Sequence, residues 1–95
     1  MNSILQNKRE CFKCHNTERL ELHHIFFGNS NRKLSEKDGL KVYLCVEHHR
    51  GTYGVHGKNG NDFNLYLKEI GQKTWQEYYN KTKEDFIKKY GKSYI

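Results

Sequence analysis

The fold is decided by residues 11–56, which read CFKCHNTERLELHHIFFGNSNRKLSEKDGLKVYLCVEHHRGTYGVH. This stretch holds all three cysteines and all six histidines of the chain. Cys11 and Cys14 form a C-x-x-C pair, and Cys45 forms a C-x-x-H pair with His48. Two such pairs supply the four ligands of a tetrahedral structural zinc. We therefore predict a zinc knuckle built by Cys11, Cys14, Cys45 and His48.

The alternative is a thiol redox pair beside an unrelated buried Cys45. No strand–helix–strand pattern surrounds the C-x-x-C pair, which disfavours it. His15 stands outside the two-residue spacing, so we expect it on a surface loop rather than at the zinc. A zinc would act as a staple, because 95 residues that are 35% hydrophobic make a thin core.

The composition excludes several classes of protein. Seventeen Lys and Arg residues against eleven Asp and Glu residues give a net charge of +6 at pH 7, which favours a polyanionic partner. The sequence has no apolar run of about 18 residues, and its first residues lack the apolar segment of a secretory signal. An odd cysteine count argues against a disulfide framework. We expect a cytoplasmic protein that does not cross a membrane.

Two short strands are predicted on either side of a turn. Apolar residues alternate over residues 40–44, which indicates a strand that ends at Cys45. The apolar positions of residues 20–27 indicate an earlier strand or hairpin arm around His23–His24. Between them, residues 28–32 (GNSNR) have the composition of a turn.

The last third of the chain is predicted to be helical. Asn61 or Asp62 can cap a first helix, which we expect to break near Gly71. A capping box over residues 82–85 precedes a last short helix, and Gly91 is placed to end it. The helical spacing assigns these side chains to core packing rather than to base stacking: Phe63, Tyr66, Leu67, Ile70, Trp75, Tyr78, Tyr79, Phe86, Ile87 and Tyr90.

The spacing of His49 and His56 makes a geometric prediction. In one continuous α-helix they would stand about 10 Å apart along the axis. Two imidazoles that bind one ion at about 2.1 Å need nitrogens within about 4 Å of each other. The segment must therefore bend back if both bind one ion, and Gly51, Gly54 and Gly57 supply a permissive backbone.

The order of these motifs resembles that of HNH nucleases with the ββα-metal fold. A C-x-x-C pair is followed by His-His on a strand, a second strand and C-x-x-H-H. The stretch HHIFFGNSNRKLSEKDGLKVYLCVEHHRGTYGVH is more closely similar to small zinc-containing HNH proteins of bacteriophages and prophages. The resemblance implies one α+β domain over residues 1–95, with a zinc knuckle and ββα-metal site in residues 11–56 and C-terminal helices in residues 61–91.

The resemblance also implies a one-metal DNA endonuclease that leaves a 5′-phosphate and a 3′-hydroxyl. In the family's pattern, His23 matches a ligand of the catalytic ion and His24 matches the general base. His49 matches the ligand that follows the last zinc ligand, and His56 is the candidate for a further ligand. An all-histidine set suits Mn²⁺, Ni²⁺ or Zn²⁺ better than Mg²⁺, which stays a candidate with water ligands.

One feature of the family pattern is missing. Many HNH proteins carry an Asn a few residues before the second cysteine motif, where this chain has residues 38–40 (DGL). Asn29 and Asn31, in the preceding loop, are the two candidates to replace it.

Three basic residues near the predicted site are candidate DNA contacts: Arg32, Lys33 and Arg50. A solvated surface charge is an equally good interpretation of each. The tail lysines are better interpreted as a solvated helix face, because Glu84 and Asp85 dilute their charge: Lys81, Lys83, Lys88, Lys89 and Lys92.

Other functions fit parts of the pattern. A second structural zinc on the histidines would need a fourth closing ligand, and none is evident. A non-catalytic zinc-knuckle module of a phage, which binds nucleic acid or acts as an adaptor, needs no free His24. RNA cleavage is a third interpretation. We expect DNA as the partner, a phage protein as a further candidate partner, and the cytoplasm of a bacterium or a phage-infected host cell as the location.

Overall fold

The computed structural model describes residues 2–28 and 30–95. A two-stranded antiparallel sheet and four helices make up this part of the chain, in the order β1 (Leu20–His24), α1 (Asn31–Asp38), β2 (Lys41–Cys45), α2 (Val46–His49), α3 (Asn61–Tyr78) and α4 (Lys83–Tyr90). Of these helices, none combines the length and the apolar character needed to span a bilayer. The chain is thus a small mixed α/β protein.

The sheet confirms the two predicted strands. β1 and β2 pair antiparallel in a register that sets Leu20 opposite Cys45 and His24 opposite Lys41. The register places the C-terminal end of β1, where the histidine pair lies, beside the start of β2. The backbone N–H of Phe12 donates to the carbonyl of Tyr43 (2.8 Å), which attaches the segment around the first two cysteines to β2.

Helix α1 lies where the sequence predicts only a turn. The turn is confined to the residues before it, because the N–H of Asn31 already donates to the carbonyl of Gly28 and α1 begins at Asn31. The prediction of a turn through Arg32 is therefore wrong. Leu34 is the one apolar side chain among the eight residues of α1, and the helix buries only Ser35 and Asp38. It thus lacks the apolar stripe that identifies an amphipathic helix.

Helix α3 is continuous through Gly71, so the predicted break is wrong. Gly71 is buried where α3 crosses the end of β1, and a Cβ there would lie 3.2 Å from Ile25 Cγ2 and 3.3 Å from Phe26 Cε2. The glycine thus serves close packing rather than a helix end. The N-cap of α3 is Gly60, without a side-chain cap, so neither of the two residues predicted to cap it does so.

Helix α4 has the predicted ends. Thr82 and Asp85 form a reciprocal capping box, and Gly91 ends the helix with a φ of 99°. The helix presents Phe86 and Tyr90 to the core, with their rings stacked at 4.6 Å. The aromatic core is completed by Phe26 and Trp75, whose rings meet Phe86 edge-on at 5.2 and 5.3 Å. Tyr66, Tyr78 and Ile87 are 52%, 65% and 38% exposed, so their assignment to the core is wrong.

Asp38, at the end of α1, joins the helices to one another. Its carboxylate accepts hydrogen bonds from Trp75 Nε1 (2.9 Å) and Tyr90 Oη (2.9 Å), and pairs with Lys89. Its carbonyl accepts a further bond from Tyr79 Oη (2.8 Å). A buried carboxylate is tolerated only when it is paired and hydrogen-bonded, as Asp38 is.

We predict that Asp38→Ala destabilises the protein by about 2–4 kcal/mol, because it leaves the buried Trp75 and Tyr90 donors without an acceptor. Urea unfolding of the zinc-loaded protein measures the change. Glu84→Ala, which removes an exposed carboxylate from α4, is the matched control and should change stability by less than about 0.5 kcal/mol. Equal effects of the two substitutions would contradict the role given to Asp38.

Candidate functional site

The first metal-ligating group is Cys11, Cys14, Cys45 and His48, whose ligand atoms all lie within 4.8 Å of one another. The first two lie on a tight loop, in which the Cys11 N–H donates to the Asn16 carbonyl and the His15 N–H to the Cys11 carbonyl. Cys45 ends β2, and His48 follows on α2. The loop and the β2–α2 junction therefore bring two ligands each to one point.

The distances within this group suit a tetrahedral zinc. Zn–S bonds of about 2.3 Å place two sulfurs about 3.8 Å apart, and Cys14 Sγ lies 3.8 Å from Cys45 Sγ. His48 Nδ1 lies 3.6 Å from Cys11 Sγ and 3.3 Å from Cys45 Sγ. All three thiols are free, at separations too long for a disulfide. This group could hold a zinc ion.

The electrostatics of the group favour a thiolate at Cys11. Burial acts to raise the pKa of this thiol, but backbone N–H groups of Cys45, Cys14 and Lys13, together with His48, lower it from 9.0 to about 6. Burial raises the pKa of Cys45, and the neighbouring sulfurs of Cys11 and Cys14 add to that effect. A cation at the centre would relieve this repulsion, since the thiolate is the form that binds metal. His15 lies outside the group, is exposed and pairs with Glu10.

After α2 the chain bends back, as the two-histidine geometry requires. The N–H of Val55 donates to the carbonyl of His48 (3.0 Å), and the N–H of His56 to the carbonyl of His49 (2.9 Å). Gly57 makes the tight return possible, since a Cβ there would lie 1.8 Å from the carbonyl oxygen of Gly51. The bend sets the rings of His49 and His56 4.8 Å apart, centre to centre.

A second metal-ligating group results, made of His23, His49 and His56, with donor atoms within 4.8 Å of one another. The ring of His23 lies 5.2 Å from each of the other two. His23 is only 2% exposed, and its Nε2 has no hydrogen-bond partner among the described residues. Because buried polar atoms are nearly always satisfied, an orphan nitrogen on a ring that lies beside two further imidazoles fits a bound cation.

Two histidines of this group, His23 and His56, favour the neutral form. Burial, followed by repulsion from the charges of His49 and His56, lowers the pKa of His23 to about 3. Burial, followed by repulsion from His49, also lowers the pKa of His56. A neutral imidazole is the form that binds a metal, so no proton must be displaced from these two at neutral pH.

Glu21 fixes the orientation of His49. Its carboxylate accepts a hydrogen bond from His49 Nδ1 (2.7 Å) and pairs with Arg50 (2.8 Å). The bond from His49, with Arg50 adding to it, lowers the pKa of Glu21. With Nδ1 engaged, Nε2 is the nitrogen of His49 left for an ion. Carboxylates commonly orient metal-binding histidines in this way, but the sequence pattern did not identify Glu21.

Glu36 makes the corresponding contact with His24. It accepts a hydrogen bond from His24 Nε2 (2.7 Å) and pairs with the buried Lys41, which lies opposite His24 in the sheet. The bonds from Lys41 and then His24 lower the pKa of Glu36 to about 2. Glu36 was missed at the level of sequence because α1 was missed. With the helix known, its four-residue spacing from Arg32 places both on one face.

A cavity of about 200 Å³ is shared by His24 and the three histidines of the second group. It is lined by Leu22, His23, His24, Phe27, Arg32, His49 and His56. Of the three predicted DNA contacts, Arg32 thus lies at the site, Lys33 is exposed on α1 outside the cavity lining, and Arg50 is paired with Glu21. Asn31, a candidate for the missing Asn, donates to the carbonyl of Tyr90 (3.2 Å). Asn29, the other candidate, lies outside the described residues.

We predict that Cys45→Ser abolishes tetrahedral metal binding by the four-ligand group and destabilises the protein by more than about 4 kcal/mol, since metal loss removes a major source of folding energy. Loading with Co²⁺ checks this, through the loss of thiolate-to-cobalt absorption. His15→Ala is the matched control and should keep that absorption. An unchanged cobalt spectrum in Cys45→Ser would refute the ligand assignment.

Comparisons of the chain with protein-family models, with curated proteins and with solved structures found no match. The chemistry of the two side-chain groups is therefore what bears on function.

Proposed function

We propose that this protein is a metal-dependent DNA endonuclease of the HNH type. The observation that carries the proposal is the buried His23, whose Nε2 has no hydrogen-bond partner among the described residues and whose ring lies 5.2 Å from two more imidazoles, beside a fourth histidine that a carboxylate orients. Three ligands leave coordination positions open, as a catalytic site requires and a structural site does not. The second group therefore differs in kind from the four-ligand group.

His24 acts as the general base. The Glu36 carboxylate accepts a hydrogen bond from the proton-bearing Nε2 of His24, so the ring keeps Nδ1 as a free acceptor. An imidazole near neutral pH can take a proton from a water molecule that attacks phosphorus, and this kind of catalysis typically contributes about 10²–10⁴-fold in rate. Glu36 holds the ring in one orientation and stabilises the imidazolium that forms.

His23, His49 and His56 would hold the catalytic ion, with Mn²⁺, Ni²⁺ and Zn²⁺ preferred over Mg²⁺ on the basis of the nitrogen donors. A divalent ion there supplies Lewis-acid stabilisation of the charge that develops on the phosphate oxygens. Arg32, in the same cavity, is placed to bind a non-bridging oxygen of the same phosphate. Attack by water then leaves a 5′-phosphate and a 3′-hydroxyl.

The overall charge supports a DNA substrate. The net charge of +6 attracts the sugar–phosphate backbone without regard to sequence. The cavity, of about 200 Å³, is lined mostly by imidazole, guanidinium and phenyl groups, and its small volume suits one phosphodiester group better than an enclosed small molecule. A phage or prophage origin rests on the resemblance of the motifs alone.

We predict that the zinc-loaded protein nicks supercoiled plasmid in the presence of Mn²⁺ or Ni²⁺, and that His24→Ala lowers the rate by about 10²–10⁴-fold. Gel electrophoresis of the nicked and linear products measures the rate, with each of Mg²⁺, Mn²⁺, Ni²⁺ and Zn²⁺ tested. His15→Ala, which alters an exposed histidine outside both metal-ligating groups, should cut as the wild type does.

Two results would count against the proposal. If the wild type binds plasmid but cuts it with none of the four ions, a non-catalytic zinc-knuckle or adaptor module is the better interpretation. If structured RNA is cut and DNA is not, the substrate is wrong although the chemistry stands.

We further predict that Glu36→Ala lowers kcat by about 10–100-fold with little change in KM, because a misoriented base reacts slowly. Glu36→Gln should restore much of the rate, since an amide oxygen still accepts from His24 Nε2. Removal of Glu36 also strands the buried Lys41, so Glu36→Ala/Lys41→Met is the stability control. If the double variant regains full activity with its stability, Glu36 is structural and has no positioning role.

A further inference from the structure

Lys68, on α3, is a cation held beside the histidine cavity. Its ammonium lies 4.7 Å from the ring centre of Phe27, which itself lines the cavity. The Phe27 ring lies 5.1 Å from that of His56 and 5.8 Å from that of His23. One phenyl ring therefore contacts Lys68 and two of the three histidines that would hold the catalytic ion, and the charge of Lys68 contributes to the lowered pKa of His23.

A second lysine lies next to it. Lys68 Nζ is 5.4 Å and Lys92 Nζ 5.1 Å from the ring centre of Tyr94, so one aromatic ring contacts both ammonium groups. The position of Tyr94 is fixed, because its N–H donates to Oε1 of the fully buried Gln72 (2.7 Å) and its ring packs at 5.5 Å from that of Phe26. The two charges are thus held in place near one another.

This lysine pair has no carboxylate partner. Lys68 and Lys92 form no ion pair within the part of the chain that the structure describes. Burial, followed by repulsion from Lys92, lowers the pKa of Lys68. Two like charges that share an aromatic ring repel each other, and a bound anion between them would offset that repulsion.

We propose that Lys68 and Lys92, supported by Phe27 and Tyr94, bind the DNA phosphate next to the one that is cut. The inference rests on the proposed function, which supplies the scissile phosphate at the histidines. A strand that places one phosphate at the ion and Arg32 would run past Phe27 and present its neighbouring phosphate to the two ammonium groups. The ammonium groups lie against the faces of the aromatic rings, and an ammonium group has three N–H donors, so those that point away from a ring can bind phosphate oxygens.

The position of the pair favours a polymeric strand over a lone anion. Both lysines lie outside the cavity lining, and Lys68 contacts it through the ring of Phe27, so we assign them a second phosphate rather than the one at the histidines. A nucleic acid strand carries phosphates at regular intervals and can contact the histidines and the lysines at once. The subsite would therefore position the strand and add affinity, and it takes no part in proton transfer.

The test measures DNA binding separately from cutting. A fluorescein-labelled DNA duplex is titrated with zinc-loaded His24→Ala protein, which is expected to cut about 10²–10⁴-fold more slowly than the wild type, and anisotropy is recorded from about 50 to 200 mM salt. Each phosphate contact contributes about −0.9 to the slope of log K against log salt. In this background we expect Lys68→Gln and Lys92→Gln each to reduce the magnitude of the slope by about 0.9 and to weaken binding several-fold. Lys73→Gln, an exposed lysine on the same helix, is the matched control and should leave the slope within error, whereas Lys68→Arg should retain it.

The possible results test the lysine subsite separately from the proposed nuclease activity. An unchanged slope in the exposed-site variant Lys92→Gln, which disturbs no core packing, overturns the proposal even if Lys68→Gln fails to fold. If plasmid is cut normally while neither lysine affects the slope, the subsite is wrong and the nuclease stands. If no metal supports cutting while both lysines carry the salt dependence, the nuclease is wrong and a DNA-binding surface stands.

Discussion

The antiparallel pairing of β1 with β2 is the constraint on which both metal-ligating groups depend. Its register sets Leu20 opposite Cys45. Cys45 and the histidines of α2, which follow it in the chain, therefore lie beside the first residue of β1. Glu21 then lies within reach of His49, and His23 lies across the sheet from Val42. A slip of one residue would turn each side chain to the other face of the sheet. The four-ligand group and the three-histidine group would then lose their common geometry together.

The two groups are also joined through consecutive residues. His48 belongs to the four-ligand group and His49 to the three-histidine group, and α2, which carries both, has only four residues. So short a helix has little stability of its own. Its position is fixed at one end by the continuation of β2 and at the other by the bonds that Val55 and His56 donate back to it. A zinc at the first group would therefore also fix the ligand His49 of the second.

The sequence indicates the candidate metal ligands well, but it does not indicate the carboxylates that orient the histidines. Cysteine and histidine spacings identify the four-ligand group, because chemistry restricts which residues bind a metal and at what separation, whereas the resemblance to HNH nucleases named the three histidines that the structure brings together. The return of the chain after His49 follows from the same reasoning and is confirmed. Glu36 and Glu21 were missed because an acidic residue carries no such signal: each acts through a contact distant in sequence, and α1 lacks an apolar stripe. The predicted break at Gly71 is wrong because local propensity favours a break there, whereas packing against Ile25 and Phe26 requires a glycine in an unbroken helix.

Carboxylates and cations have different positions around the histidines. Glu21 and Glu36 accept hydrogen bonds from His49 and His24, are each paired with a cation, and do not line the cavity. Arg32 lies in the cavity, and Lys68 approaches it from α3 across Phe27. The carboxylates fix the orientation of the imidazoles that they bind, while the cations would attract the phosphodiester of the proposed substrate. A purely structural metal site gains nothing from the cations, and a plain DNA-binding surface gains nothing from the oriented imidazoles. The proposed hydrolysis of a phosphodiester requires both features at one cavity.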